Sequence, residues 1–372
     1  MSKILVHTPD GVRDIYGNEC GERKLIADKI HSKMKSFGYE DIETPTFEYF
    51  DVFAEEINTS DAKQLFKFFD SEGNTLVLRP DFTPSIARCA SKVMLDDGKP
   101  IRVCYEGSAF LNTSSLQGKL KENCNIGVEL MNEPSVYADA EMIALLIESL
   151  KSTGLNDFQV SIGDADYYKG ICEEAGISEE TEEQIREQII GKNYFAAENI
   201  MNEKEVPEKY KNLLVKVSEF IGSDDALDKA MGEVTNERSV NAIKRLKELY
   251  KVLTLYKVEK YVSFDLGILS KFNYYTGVIF SAYTYGVGDA IAKGGRYDNL
   301  LGKYGQDAPA IGFSIILDDL MAALYRQDIK VPENNKPECI GFTADNFEEC
   351  LFKCMELRAL GKDVVLVNME GA

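Results

Sequence analysis

The stretch YEGSAFLNTSSLQGKLKENCNIGVEL, residues 105–130, reads as a strand, a loop too long for a tight hairpin, and a returning strand. Such a loop is a good place to hold a nucleotide triphosphate, yet the outgoing strand runs into Leu111, Asn112 and Thr113 and carries no cation. Just upstream, NTLVLRPDFTPSIARCASKVM (74–94) reads as a strand, a turn at Pro80, and a helix capped by Thr83 with Pro84 at its first position. Arg79 and Asp81 flank that helix start with one charge of each sign. The arrangement suits recognition of a zwitterion; the plainer reading is a well-capped helix with a surface ion pair.

Further upstream, residues 17–53 open with an amphipathic helix whose apolar positions Leu25, Ile26, Ile30, Met34 and Phe37 recur at helical spacing. Gly38 ends it and YEDIETP follows as a strand, in which Pro45 removes a ladder donor and so suits a sheet edge or a subunit boundary. Downstream, residues 155–260 are charged, helix-periodic and almost free of strand signals. Strands resume with VSFDLGILSKFNYYTGVIFSAYTYG (262–286). IAKGGRYDNLLGKYG (291–305) then reads as a glycine turn between a strand and a helix, and APAIGFSIILDDLMAALYR (308–326) as a strand running into a helix. The tail from residue 338 reads as one strand–helix–strand unit, too small to be stable alone. An inserted helical block between runs of strands predicts an α+β fold with a mostly antiparallel sheet flanked by helices. The expected divisions are 1–154, first part of the core; 155–260, helical insertion; 261–328, second part of the core; and 335–372, a short βαβ unit.

Composition narrows the function. The chain has 372 residues, 44% of them hydrophobic and 28% charged, enough for a sizeable core and two or three domains. No apolar run approaches the roughly 18 residues of a membrane span, and the first residues lack the apolar core of a secretory signal, so a cytoplasmic location with no membrane partner is expected. The eight cysteines are scattered without a disulfide framework. Cys350 and Cys354 stand at helical spacing, but the only histidines are His7 and His31, so zinc ligands would have to come from far apart and no metal is expected. A net charge of −20 disfavours nucleic acid as a partner, because that affinity is largely supplied by clustered Lys and Arg.

Several stretches together resemble the histidyl-tRNA synthetase family of class II aminoacyl-tRNA synthetases over residues 5–325, and more closely its non-catalytic branch, the regulatory subunits of ATP phosphoribosyltransferase. GYEDIETPTFEYFDVF is similar to motif 1, the dimer motif; LRPDFTPSIAR to the first histidine-pocket loop; and residues 105–130 to motif 2. NYYTGVIFSAY and GGRYDNLLGKYG are similar to the histidine-specific segments, and AIGFSIILDDL to motif 3. The order and spacing carry the likeness, YYTG followed by GGRYD being its most specific pair, and the resemblance implies that 335–372 is the βαβ remnant of an anticodon-binding-like domain.

The departures from the synthetase pattern bear on function. Where that pattern has an Arg gripping the α-phosphate, an Arg near the amino-acid carboxylate and an Arg holding the γ-phosphate, this chain has Leu111, Ser270 and Asp319, and Thr113 replaces the adenine-side Glu. Removing one such donor costs about 10²–10³ in rate, so adenylation is expected to be lost, with no catalytic residue and no cofactor. The amino-acid pocket is better kept. The resemblance places Asp81 and Thr83 at the ligand's ammonium group, Glu129 and Tyr275 at the imidazole nitrogens, and Asn125 where the family has a pocket Gln. Tyr274 with Gly294, Gly295 and Arg296 would line the wall. The same residues could instead persist as scaffold for the sheet.

The resemblance thus implies a regulatory protein that binds L-histidine as effector and works with the short-form catalytic subunit of ATP phosphoribosyltransferase in the first step of histidine biosynthesis, as a homodimer within a hetero-oligomer. Two alternatives stay open. A divergent synthetase or histidine-activating enzyme would need replacement cations, for which Lys119, Lys121 and Lys271 are near in sequence. A stand-alone histidine sensor would bind histidine without affecting phosphoribosyl transfer.

Overall fold

The computed structural model describes residues 7–54, 61–95, 98–113, 119–270, 274–331 and 337–369. In chain order these form α1 (Gly17–Ser36), β1 (Glu40–Asp41), β2 (Phe47–Tyr49), α2 (Asp51–Ala54), β3 (Lys67–Phe69), β4 (Thr75–Leu78), α3 (Thr83–Val93), β5 (Ile101–Phe110), β6 (Glu122–Met131) and α4 (Val136–Ser152). Next come β7 (Phe158–Asp164), α5 (Ala165–Glu174), α6 (Glu179–Ile190), α7 (Tyr194–Glu203), α8 (Glu208–Lys216), β8 (Ile221–Gly222), α9 (Asp224–Glu233) and α10 (Glu237–Leu255). The chain closes with β9 (Val262–Asp265), β10 (Val278–Thr284), β11 (Ala292–Arg296), β12 (Ala310–Ile316), α11 (Leu317–Arg326), β13 (Glu338–Phe342), α12 (Phe347–Ala359) and β14 (Val364–Asn368).

The chain divides into two units, Met1–Asp14 with Ile26–Lys330, and Ile15–Leu25 with Val331–Ala372. The first is built on a nine-stranded sheet of order β1-β5-β6-β12-β11-β10-β7-β9-β8, antiparallel except where β1 meets β5 and β7 meets β9. Long strands of alternating character explain its centre: β5 and β6 pair through ten residue partners, Ile101–Met131 to Phe110–Glu122. One face is covered by α4 and α11, with Ile126, Val128 and Leu130 of β6 fully buried beneath them. Apolar spacing on α1 buries Ile26, Ile30 and Met34 as expected, and Gly38 follows it with positive φ. A three-stranded sheet, β2-β4-β3, lies apart from the large one. In the second unit, β13 and β14 pair in parallel, and α12 packs Cys354 onto Ile340 and Val364, so Cys354 serves as a small core residue there.

Four local expectations are corrected. YEDIETP pairs only through Glu40 and Asp41, because Pro45 and the loop around it leave the sheet edge. β7 lies inside the large sheet, between β10 and β9, although it falls within 155–260, so the run of helices starts at Ala165. Gly294 and Gly295 are inside β11 and not in a turn, since rings from neighbouring segments occupy the space their side chains would take. Thr83 is the first residue of α3 and does not cap it; its hydroxyl is used elsewhere.

Candidate functional site

Strand alternation sends successive side chains to opposite faces of the sheet. Opposite the helix-covered face, Glu129 on β6 is in register with Gly312 on β12, which is in register with Gly295 on β11. A Cβ at Gly312 would stand 1.7 Å from Glu129 Oε2, and one at Gly295 would meet the Tyr275 ring at 2.5 Å. Glycine at both places lets the Glu129 and Tyr275 side chains lie across the strands.

Glu129, only 1% exposed, accepts the Thr83 hydroxyl on Oε1 at 2.7 Å and the Tyr297 hydroxyl on Oε2 at 2.5 Å. Burial pushes its carboxyl up to about 8, against the pull of the two hydroxyls, and the nearby charge of Asp81 adds to the rise. Asp81 accepts the Tyr274 hydroxyl at 2.9 Å and the Phe82 backbone N–H at 2.7 Å, and burial raises it as well. The rings of Tyr274 and Tyr275 stand 4.8 Å apart between centroids. Asn125 shares the face of Glu129, four residues earlier on the same strand, and its Oδ1 is buried without a hydrogen-bond partner among the described residues. Two buried carboxyls raised by desolvation, their hydroxyl partners and an unsatisfied amide oxygen make a cluster suited to a small cationic or zwitterionic ligand.

The structure thus brings together Asp81, Thr83, Glu129, Tyr274 and Tyr275, while Asn125 lies on the same face of β6 four residues away. It does not put Gly294 and Arg296 on that wall. Both have the opposite strand parity: a Cβ at Gly294 would run into Phe280 and Phe313, and the Arg296 guanidinium, 3% exposed, pairs with Asp139 of α4 through Nε at 2.9 Å. Arg245 of α10 reaches the other oxygen of Asp139 at 2.7 Å, which ties the helical segment to the back of the sheet. Arg79 is no free cation either; it donates to the carbonyls of Ser108 and Thr44 at 2.9 Å each and stacks on Phe82. Tyr297 was not expected at the site, though it lies two residues after Gly295 and shares its parity.

Beside Tyr275 opens a cavity of about 840 Å³, bounded by Ser270, Tyr275 and Ile279 of the core and by Tyr168, Lys169, Glu182 and Arg186 of α5 and α6. Its two innermost cations face backbone: Lys169 donates to the Tyr275 carbonyl at 2.8 Å, and Arg186 to the Ser270 carbonyl at 2.7 Å. Arg186 also lies 3.1 Å from Glu182.

Past the end of β12, Asp318 and Asp319 lie in the first turn of α11. Asp318 accepts the Cys124 backbone N–H at 2.9 Å with Arg13 3.8 Å away, and Lys119 pairs with Asp289 at 2.7 Å. Burial raises the Asp319 carboxyl, the charges of Asp289 and Asp318 raise it further, and Lys293 and Lys119 oppose them. Leu111 bonds through its backbone N–H to the Lys121 carbonyl at 2.9 Å, and the Thr113 hydroxyl oxygen is buried without a partner among the described residues. Lys271 and residues 114–118 of the loop lie outside the described residues.

Fold and cleft define a class II aminoacyl-tRNA synthetase-like protein, and the histidyl-tRNA synthetase family matches residues 11–320. Histidyl-tRNA synthetase from Nostoc sp. PCC 7120 shares the fold at 21% identity and a TM-score of 0.79, over 98% of this chain and 86% of that one. The crystal structure of an ATP phosphoribosyltransferase regulatory subunit/histidyl-tRNA synthetase from Bacillus halodurans C is 32% identical with a TM-score of 0.88, over 100% of this chain and 95% of that one. The ATP phosphoribosyltransferase regulatory subunit of Acetivibrio thermocellus is 38% identical over 371 residues, 100% of this chain and 88% of the relative. The chain belongs to the family of ATP phosphoribosyltransferase regulatory subunits. Among the described residues, no helix is long and apolar enough to cross a membrane.

Proposed function

We propose that this protein is a non-catalytic regulatory partner of a short catalytic ATP phosphoribosyltransferase subunit, acting in the first step of L-histidine biosynthesis, and that it binds L-histidine in the cleft around Glu129. The observation that carries the reading is the contrast between the cluster around Glu129 and the surroundings of α11. The first gathers Glu129, Thr83, Tyr297, Asp81 and Tyr274 through hydrogen bonds. Around α11, Lys119, Lys293 and Arg13 each neighbour a carboxylate, and the resemblance to the synthetases implies lost cations at Leu111, Ser270 and Asp319. Phosphoryl and adenylyl chemistry is mostly electrostatic positioning, and a charge-balanced edge offers no net field for it.

In this reading Glu129 takes the ligand's imidazole and Asp81 its ammonium group, with Tyr275 and Asn125 completing the polar contacts. Regulation follows as a coupling free energy: histidine favours an assembly of low activity, and by linkage the catalytic subunit's own ligands oppose histidine in return. Assembly as a homodimer within a larger hetero-oligomer belongs to the same proposal. Calorimetric titration with L-histidine, run beside an ATP–pyrophosphate exchange assay, tests it. Binding without exchange supports the receptor; histidine-dependent exchange overturns it in favour of an enzyme.

A further inference from the structure

Away from the cleft, three side chains of different chemistry meet at the edge of the large sheet. His31 lies on α1, Asp41 on β1 and Cys104 on β5, and Asp41 and Cys104 are register partners in a parallel pair, which sets their side chains next to each other. His31 Nε2 stands 2.5 Å from Asp41 Oδ1, and Cys104 Sγ stands 3.4 Å from the same oxygen. The three candidate ligand atoms lie within 4.8 Å of one another, and among the described residues no other group of His, Cys, Asp and Glu converges in this way. Lys35, one helical turn after His31, holds Asp41 Oδ2 at 3.0 Å and so leaves Oδ1 to the other two.

We propose that His31, Asp41 and Cys104 form a zinc(II) site, with water as the fourth ligand. An imidazole nitrogen, a carboxylate oxygen and a thiolate suit this borderline-soft ion. At zinc bond lengths of about 2.0–2.3 Å, tetrahedral ligand atoms stand roughly 3.3–3.7 Å apart. Cys104 and Asp41 are at that separation already, and the partly exposed His31 side chain must turn to lengthen its 2.5 Å approach to Asp41 Oδ1 while staying within reach of Cys104. Cys104 is fully buried and anchors the site from the sheet side, while Asp41 opens it to solvent for entry and for the bound water. Metal binding exchanges the Cys104 thiol proton, released to solvent, for a sulfur–zinc bond, and the thiolate charge offsets that of Lys35. The site ties α1 to the sheet edge in the segment similar to motif 1.

Cobalt(II) titration of the full-length, reduced protein tests this by absorbance. The wild type should take up one equivalent with a thiolate-to-cobalt charge-transfer band that zinc(II) then displaces. Cys104→Ser should abolish that band, and His31→Ala, an exposed change that leaves the core intact, should weaken uptake at least about tenfold. No uptake by the wild type, or a band and affinity unchanged in His31→Ala, overturns the assignment.

Discussion

The Tyr297 hydroxyl donates to Glu129 Oε2 at 2.5 Å from a segment that follows β11 and is separated from β6 by β12. The contact crosses the bare strand at Gly312, and with Thr83 on the other oxygen it fixes the carboxyl in the cleft. Tyr297→Phe leaves one buried oxygen short of a partner, so histidine binding should weaken and the fold should lose about 1–3 kcal/mol. Calorimetry and urea unfolding of the variant measure the two effects separately.

Histidine affinity should depend on pH in a bell shape. Burial keeps Glu129 protonated up to about pH 8, while free imidazole titrates near 6.5. Between those values the free partners carry one proton in total, and the bound pair keeps it as an imidazolium beside a carboxylate. Below about pH 6.5 binding must release a proton, and above about pH 8 it must take one up. Affinity should therefore fall about tenfold per unit outside this window. Glu129→Gln should remove the alkaline limb and keep the acid one; a flat wild-type profile contradicts the pairing.

The same carboxyl links pH to stability of the ligand-free protein. Its folded pKa of about 8 lies above the ordinary 4.5, so between these values the unfolded chain gives up a proton that the folded one retains. Stability should accordingly decline as pH rises from about 4.5 to 8. Urea unfolding of wild type against Glu129→Gln checks the sign, since the variant should lack this decline.

Gly312→Ala places a methyl 1.7 Å from Glu129 Oε2. The carboxyl must then leave the Thr83 and Tyr297 hydroxyls, and histidine binding should disappear by calorimetry. The same methyl stands 2.5 Å from the Val128 backbone carbonyl, so β6 and β12 must shift as well, and urea unfolding should show a loss of at least about 1–3 kcal/mol from overpacking.

Asp139 is fully buried between Arg296 and Arg245. Asp139→Ala leaves the buried Arg296 without its main counter-charge and should cost about 3–5 kcal/mol in urea unfolding. As a control, Arg238→Ala removes an exposed pair with Asp166, worth at most about 1 kcal/mol.

The long β5–β6 pair and the β12–α11 unit were legible in the sequence because each carries a strong period of its own, whereas α1 was legible mainly through the few apolar positions Ile26, Ile30 and Met34 that it buries. β7 was not: its cleft-facing positions Gln159, Ser161 and Gly163 are polar or small, so only half the strand looks apolar, and charged helices follow it. Gly294 and Gly295 look like a turn until the Tyr275 and Phe280 rings are seen lying on them. Tyr297 and Arg296 were separable by strand parity alone once β11 was placed. His31, Asp41 and Cys104 gave no signal, since residues far apart in a chain become neighbours only through sheet register.

The most direct test of the account is phosphoribosyl transfer by the short catalytic subunit, measured alone, with this protein, and with this protein plus L-histidine. The account predicts weak activity alone, a rise on adding the protein, and a fall with histidine that Glu129→Gln relieves. Activity indifferent to the protein, with or without histidine, contradicts it.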